Sequence, residues 1–146
     1  MTPVSGSIVI DRPPAEVFEY VAAADRRGEW QDAVRNVQVQ TPDVVGVGME
    51  VLETRQVPGG TRTFRWRVSQ YDPPTDWGFR GIANPLNAFV HMRFTPTDNG
   101  NSTTVAFQID FQGTGLARLL APLARLGARR EVPHDLAKLK RKLEER

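Results

Sequence analysis

The sequence predicts an α+β fold: a seven-stranded antiparallel sheet curved around a long C-terminal helix, with two short helices between strands 1 and 2. Three observations predict it. The hydrophobic period is two across the middle of the chain, from Val37 to Phe111. Turn-forming clusters interrupt that stretch at short intervals, as at Pro58-Gly59-Gly60, Pro73-Pro74, Asn84-Pro85 and Asp98-Asn99-Gly100-Asn101. After Gly113 the period becomes helical, with leucine as the repeating residue. Short turns imply an antiparallel meander with one wet and one apolar face, and the last helix is the element available to cover the apolar side.

Taken in order, residues 4–11 (VSGSIVID) form the first strand, ended by Pro13-Pro14. Proline suits the first turn of a helix because its missing N–H would have no partner there. Residues 15–23 then put Val17, Phe18 and Val21 on one helical face. Asp25 is expected to cap a second short helix that runs to Asp32 and carries Trp30 as a packing residue. Val37 and Val39 open the alternating region. Met49, Val51, Glu53, Arg55 and Val57 share a face of the next strand, and Phe64, Trp66 and Val68 share one of the strand after it. Trp77 with Phe79, then Val90 with Met92 and Phe94, then Val105 with Phe107, Ile109 and Phe111 complete the sheet. Leu116, Leu119, Leu120, Leu123 and Leu126 are expected to form an apolar helical stripe that Leu136, Leu139 and Leu143 continue. Pro122 and Pro133 are expected to split this region into a short helix and a long one that kinks near Pro133.

A length of 146 residues without repeat or linker is read as a single domain, 1–146. With no cysteine, disulfides, thiolate chemistry and iron–sulfur clusters are excluded. No run of 18 apolar residues suggests a transmembrane segment. The opening MTPVSGSIVI has no basic stretch before its apolar part, so a cytoplasmic location is expected. Net charge is only +2; the pI near 9.4 arises because 16 of 19 basic residues are arginine. Residues 125–146 carry eight basic and four acidic side chains, whereas the first 124 carry 11 and 13. The basic residues of that tail interleave with leucines, which reads as the solvated face of an amphipathic helix, and no nucleic-acid partner is expected.

Two polar residues interrupt the apolar face of the sheet. Glu53 and Arg55 lie two apart on the third strand, so both point the way Val51 does. If buried they must pair or bond a ligand, because an unpaired buried charge is costly. A Glu53 of raised pKa, with Arg55 orienting a carbonyl or carboxylate, is the one candidate for acid–base catalysis. The competing expectation is a rim position in solvent. Arg62, Arg65, Arg67 and Arg93 are expected on the solvent face, as is His91. Tyr71 is expected on the side opposite Trp66. His91 and His134 have no metal-type spacing, so no metal is expected. There is no G-x-S-x-G, no Walker motif and no third glycine after Gly46-x-Gly48, so no cofactor is expected either.

The order of elements resembles the helix-grip fold of the START-like (SRPBCC) superfamily, in its polyketide cyclase/dehydrase-like branch. The residues that carry the resemblance run nearly the whole chain. Asp11-Arg12-Pro13-Pro14-Ala15-Glu16-Val17-Phe18 is similar to the family's first helix opening, and Asp25 with Glu29-Trp30 to its second helix. Val45-Gly46-Val47-Gly48 resembles the turn before the third strand, Asp98-Asn99-Gly100-Asn101-Ser102-Thr103 the turn before the last strand, and Leu136, Leu139 and Glu144 the final helix. Asn101-Ser102 departs from the family's usual Gly-Thr at that last turn. These motifs are structural and mark no reaction.

The resemblance implies a deep apolar cavity between sheet and C-terminal helix. Its ligand-binding residues would be Val51, Glu53, Arg55, Phe64, Trp66, Trp77, Phe79, Met92, Phe107 and Phe111, since pockets are lined by apolar and aromatic groups with a few placed polar ones. The first expectation is therefore binding of a small hydrophobic molecule, lipid-, isoprenoid- or polyketide-like, by a monomer or weak homodimer. A polyketide cyclase or dehydrase using Glu53 and Arg55 is the alternative, and a protein-interaction module with a filled core is the third.

Overall fold

The computed structural model describes residues 3–146. Strand β1 (Val4–Ile10) is followed by helix α1 (Pro14–Ala22), a 3-10 turn (Ala24–Arg26) and the one-turn helix α2 (Arg27–Trp30). Strands β2 (Val34–Val39), β3 (Glu50–Val57), β4 (Gly60–Asp72), β5 (Asp76–Gly81), β6 (Leu86–Thr97) and β7 (Ser102–Gly113) come next. A 3-10 segment (Gly115–Leu120) leads into α3 (Ala121–Glu144). The strands form one antiparallel sheet in the order β1-β7-β6-β5-β4-β3-β2. A meander closed by its first strand, gripping a long last helix, is the fold the sequence predicts.

Helix α1 begins at Pro14 and buries Val17, Phe18, Tyr20 and Val21. Asp25, expected as a cap, lies inside the 3-10 turn, and no side chain caps either short helix. The N–H groups a cap would serve are already bonded, Arg26 to the Ala23 carbonyl and Arg27 to that of Ala24. Trp30 is buried as a packing residue.

The register places all of the expected inner-face residues on one side. Val51 faces Trp66, Glu53 faces Phe64, Trp77 faces Met92, and Met92 in turn faces Phe107. Two positions depart from simple alternation. Tyr71 pairs with Trp77 because the register slips between Val68 and Gln70. The extra residue reverses the parity, so Tyr71 joins the inner side, where its ring meets Phe18 edge-on at 5.2 Å. Arg62, expected outside, lies directly opposite Arg55 and has the parity of Phe64 and Trp66. It is exposed because it sits at the end of the strand, not because it faces away from the helix. Arg65 and Arg67 do lie outside and share Glu50, and Arg93 with His91 shares Asp76.

Helix α3 runs unbroken through the exposed Pro133, and Pro122 falls in its first turn. Its buried residues are Ala121, Arg125, Ala128, Val132, Leu136, Leu139 and Leu143. On a helix turning about 100° per residue, Leu123 and Leu126 lie about 140° and 80° from Leu136. The expected continuous leucine stripe is therefore two surfaces: Leu116, Leu119, Leu120, Leu123 and Leu126 are 84, 70, 51, 61 and 46% exposed. What faces the sheet in this first half of α3 is alanine and Arg125. Further along, the helix closes on β1 at Gly6, where a Cβ would stand 3.0 Å from Val132 Cγ1. Glycine is needed there for the approach.

Candidate functional site

The inner face has two ends of different character. At the end holding the last turns of α3, Val17, Val21, Val51, Trp77, Met92, Phe94, Val105, Leu139 and Leu143 are essentially sealed from water. At the other end the sheet contributes Phe64, Ala88, Ile109 and Phe111, all half-buried, and α3 contributes Ala121 and Ala128. Phe107 marks the boundary and is half-buried too. Leucines of α3 cover the first end, whereas α3 brings alanines and the buried Arg125 to the second.

A charged cluster borders the open end. Glu53 is buried, and each of its oxygens is taken: Arg27 Nε donates to Oε1 at 2.5 Å and Arg55 Nη1 to Oε2 at 2.9 Å. Gln31 accepts from Arg55 Nη1 at 2.9 Å and from Arg27 Nη2 at 3.4 Å. Arg55 Nη2 lies 3.5 Å from Glu131 on α3. Arg27 is itself buried, its guanidinium 5.1 Å above the Trp66 ring and 5.2 Å from that of Phe79. Trp66 and Phe79 stack at 4.4 Å, and Trp77 meets both rings edge-on. Trp66 Nε1 is buried without a hydrogen-bond partner, as is Trp30 Nε1.

The electrostatics change the role expected of Glu53. Burial pushes its carboxyl up, but the guanidinium groups of Arg27 and Arg55 outweigh burial and hold it below the usual range. It is an ionised, fully engaged carboxylate rather than an acid or base poised near neutrality. Asp135 on α3 behaves in the opposite way. Burial pushes its carboxyl up to about 7, against the pull of Arg55 and with help from Glu131. Tyr20 is spent on a 2.7 Å bond to Glu29, and burial first, then that bond, push its hydroxyl pKa up.

The structure thus brings together all ten residues proposed from the sequence on one face, but in three settings. Val51, Trp77 and Met92 belong to the sealed packing; Glu53, Trp66 and Phe79 form a buried floor around Arg27; Arg55, Phe64, Phe107 and Phe111 reach solvent. Sequence reasoning missed Arg27, Gln31 and Asp135. A signal existed for Arg27: it lies three residues before Trp30, the spacing that puts two side chains on one helical face, so a buried Trp30 draws it inward. Two hollows open beside α1, and neither is lined by α3, where the resemblance implied the cavity. One of about 470 Å³ is lined by Phe18, Ala22, Tyr71, Pro73 and Pro74, and one of about 230 Å³ by Val39, Met49, Val68 and Trp77 among others. Among the described residues no cluster of His, Asp and Glu could hold a metal ion.

A family model described as polyketide cyclase/dehydrase and lipid transport matches residues 1–144. An uncharacterised protein of Mycobacterium tuberculosis is 23% identical over 130 residues, which is 88% of this chain and 87% of that one. The crystal structure of the Zhui aromatase/cyclase from Streptomyces sp. R1128 superposes with a TM-score of 0.83 at 15% identity, covering 99% of this chain and 94% of that one. A START superfamily protein from Mycobacterium smegmatis superposes with a TM-score of 0.78 at 12% identity, covering 99% of both chains.

Proposed function

This chain belongs to the polyketide cyclase/dehydrase and lipid transport family, and from that premise we propose that it binds a small apolar molecule between α3 and the open end of the sheet. The family's range is hydrophobic-ligand binding or cyclase-type work; the side chains here favour binding. One observation carries the reading: Phe64, Phe107, Ile109 and Phe111 on the inner face are only half-buried, while the inward residues of the first half of α3 include the small Ala121 and Ala128. Burying that surface under a ligand gains roughly 25 cal/mol per Å². Phe64, Phe107 and Phe111 would touch the ligand, while Trp66 and Phe79 support them from below. Arg55, half-buried and with donors not committed to Glu53, would meet a carbonyl, hydroxyl or carboxylate at the ligand's polar end. Val51, Trp77 and Met92 would act one layer further down, by holding that floor in place.

The test is a fluorescence titration with the apolar probe N-phenyl-1-naphthylamine, followed by competition with decanoate. Phe111→Glu is expected to abolish probe binding. Arg55→Ala is expected to weaken decanoate about tenfold or more while leaving the probe's affinity nearly unchanged. Unaltered probe binding in Phe111→Glu would place the ligand elsewhere.

A cyclase-type reading has a different observation in its favour. Asp135, not Glu53, is the carboxyl pushed up to about 7, by burial, and it lies within the electrostatic reach of Arg55. Such a pair can hold a carbonyl oxygen and move a proton beside it. Conversion of a poly-β-ketone thioester by the wild type and by Glu53→Gln, but not by Asp135→Asn, would establish that reading. Binding without conversion would leave the carrier.

A further inference from the structure

Five exposed leucines in an ordered segment need a reason. Leu116, Leu119, Leu120, Leu123 and Leu126 stand out from the 3-10 segment and the first turns of α3, and the largest of these exposures reach 84 and 70%. The segment is held from its other side by contacts that do not use the leucines. Gly113 lets the chain fold back so tightly that a Cβ there would lie 2.4 Å from the Arg118 nitrogen. Thr114 N donates to the Pro85 carbonyl at 3.0 Å. Buried Arg125 donates to Asp110 at 2.8 Å and to the Phe111 carbonyl at 3.2 Å. Its leucines are thus presented on a fixed frame rather than left over from a loose end.

Within the segment itself the charge is of one sign, with exposed Glu131 just beyond it. From Phe111 to Arg130 the sequence has no acidic residue and four arginines. Arg125 is engaged inward, whereas Arg118, Arg129 and Arg130 are exposed beside the leucines. Among the described residues no helix is long and apolar enough to cross a membrane. From this pairing of an apolar ridge with a basic flank we propose that residues 115–130 form a peripheral docking surface for an anionic lipid bilayer. The leucines enter the interface and the arginines meet lipid phosphates, the arrangement that favours a surface-lying segment.

The same features disfavour a second copy of this chain as the occupant. A two-fold interface sets the same patch against itself, and here that would oppose the segment's arginines to one another with no acid inside the segment to pair them. The docking surface adjoins the open end of the sheet, since Phe111 and Gly113 lead directly into it. The proposal stands on the leucines and arginines alone and requires no ligand in the concave face.

The experiment is flotation of the full chain with vesicles of phosphatidylcholine alone and of equal parts phosphatidylcholine and phosphatidylglycerol. Binding is expected to the mixed vesicles, with loss on raising salt, because exposed charges are screened. The exposed double variant Leu119→Glu/Leu123→Glu is expected to lose at least about tenfold in binding. Arg129→Gln/Arg130→Gln is expected to weaken binding to the mixed vesicles by roughly fivefold per charge removed and to leave phosphatidylcholine unaffected. Both variants should keep the wild-type affinity for N-phenyl-1-naphthylamine, which separates failure here from failure of the ligand-binding reading. The proposal is overturned if the wild type does not float with anionic vesicles, or if the leucine variant floats as well as the wild type. A concentration-dependent dimer in gel filtration, abolished by Leu119→Glu/Leu123→Glu, would also overturn it in favour of self-association.

Discussion

The two ends of the concave face have similar sheet residues and different helix residues. At the closed end α3 lowers Leu136, Leu139 and Leu143 onto Ile10, Met92, Phe94 and Val105, and the contact is nearly complete. At the open end, Phe64, Ile109 and Phe111 would bury as much area, yet α3 offers them Ala121 and Ala128. One helix therefore packs leucines onto the sheet with its second half and presents mainly alanines with its first, the end proposed for the ligand. Protein interiors are packed close to crystal density, so space beside an aromatic surface is a matter of which side chains the neighbour withholds.

Five outcomes sharpen or break that comparison, taken from the largest effect down. At the border of the two ends, Glu53→Gln strips Arg27 of its buried counter-ion, and a loss of about 3–5 kcal/mol in urea unfolding is expected. In the closed end, Leu139→Ala should cost about 2–5 kcal/mol for the cavity it leaves, with probe binding retained wherever the protein is folded. In the open end, Ala128→Leu is expected to change stability by less than about 1.5 kcal/mol, since a space kept for a ligand would take the added volume. The same change should lower affinity for N-phenyl-1-naphthylamine about tenfold, since it occupies the probe's place. A large loss of stability in Ala128→Leu would show the open end to be as tightly filled as the other.

The fourth outcome is a pH effect. Asp135 has an ordinary pKa of 3.8 when unfolded and about 7 when folded. Between those values the unfolded chain has released a proton that the folded chain keeps, so stability falls as pH rises from about 4 to about 7. Asp135→Asn should remove that slope and be the more stable protein at pH 8, as thermal unfolding at several pH values would show. Glu53 acts in the opposite sense: its contribution is present above its ordinary 4.5 and is lost on acidification. The smallest effect belongs to the convex face. Arg67→Gln, which leaves the half-buried Glu50 paired with Arg65, should leave both the unfolding midpoint and probe binding where they were.

Much of this architecture was legible in the residues themselves. Alternation from Val51 to Phe111 identified the inner face, and the parity of Glu53 and Arg55 placed both on it. Period-two reasoning failed where the backbone inserts a residue: nothing about Ser69 announces the slip that turns Tyr71 inward. The leucine stripe misled for a related reason. Passage from 3-10 to α geometry near Leu120 changes the angular step, and the residues that face the sheet beyond it are Ala121, Arg125 and Ala128, which carry little hydropathy. Hydrophobic periodicity finds the most apolar face of a helix, and here that face is outside. Arg27 was hidden in another way. It looks like a surface residue on a short helix, and only the counter-ion demand of a buried Glu53 calls for it.

The open end of the concave face, beside the alanines of α3, is the proposed seat of the ligand. A methyl and arginine side-chain NMR titration with decanoate tests it most directly. Shifts are expected at Ala88, Ile109, Ala128 and Arg55 Nε, with Val105, Leu139 and Leu143 unmoved. Shifts confined to Ala22, Val39 and Val68, around the hollows beside α1, would contradict it, as would the absence of any shift up to the solubility limit of decanoate.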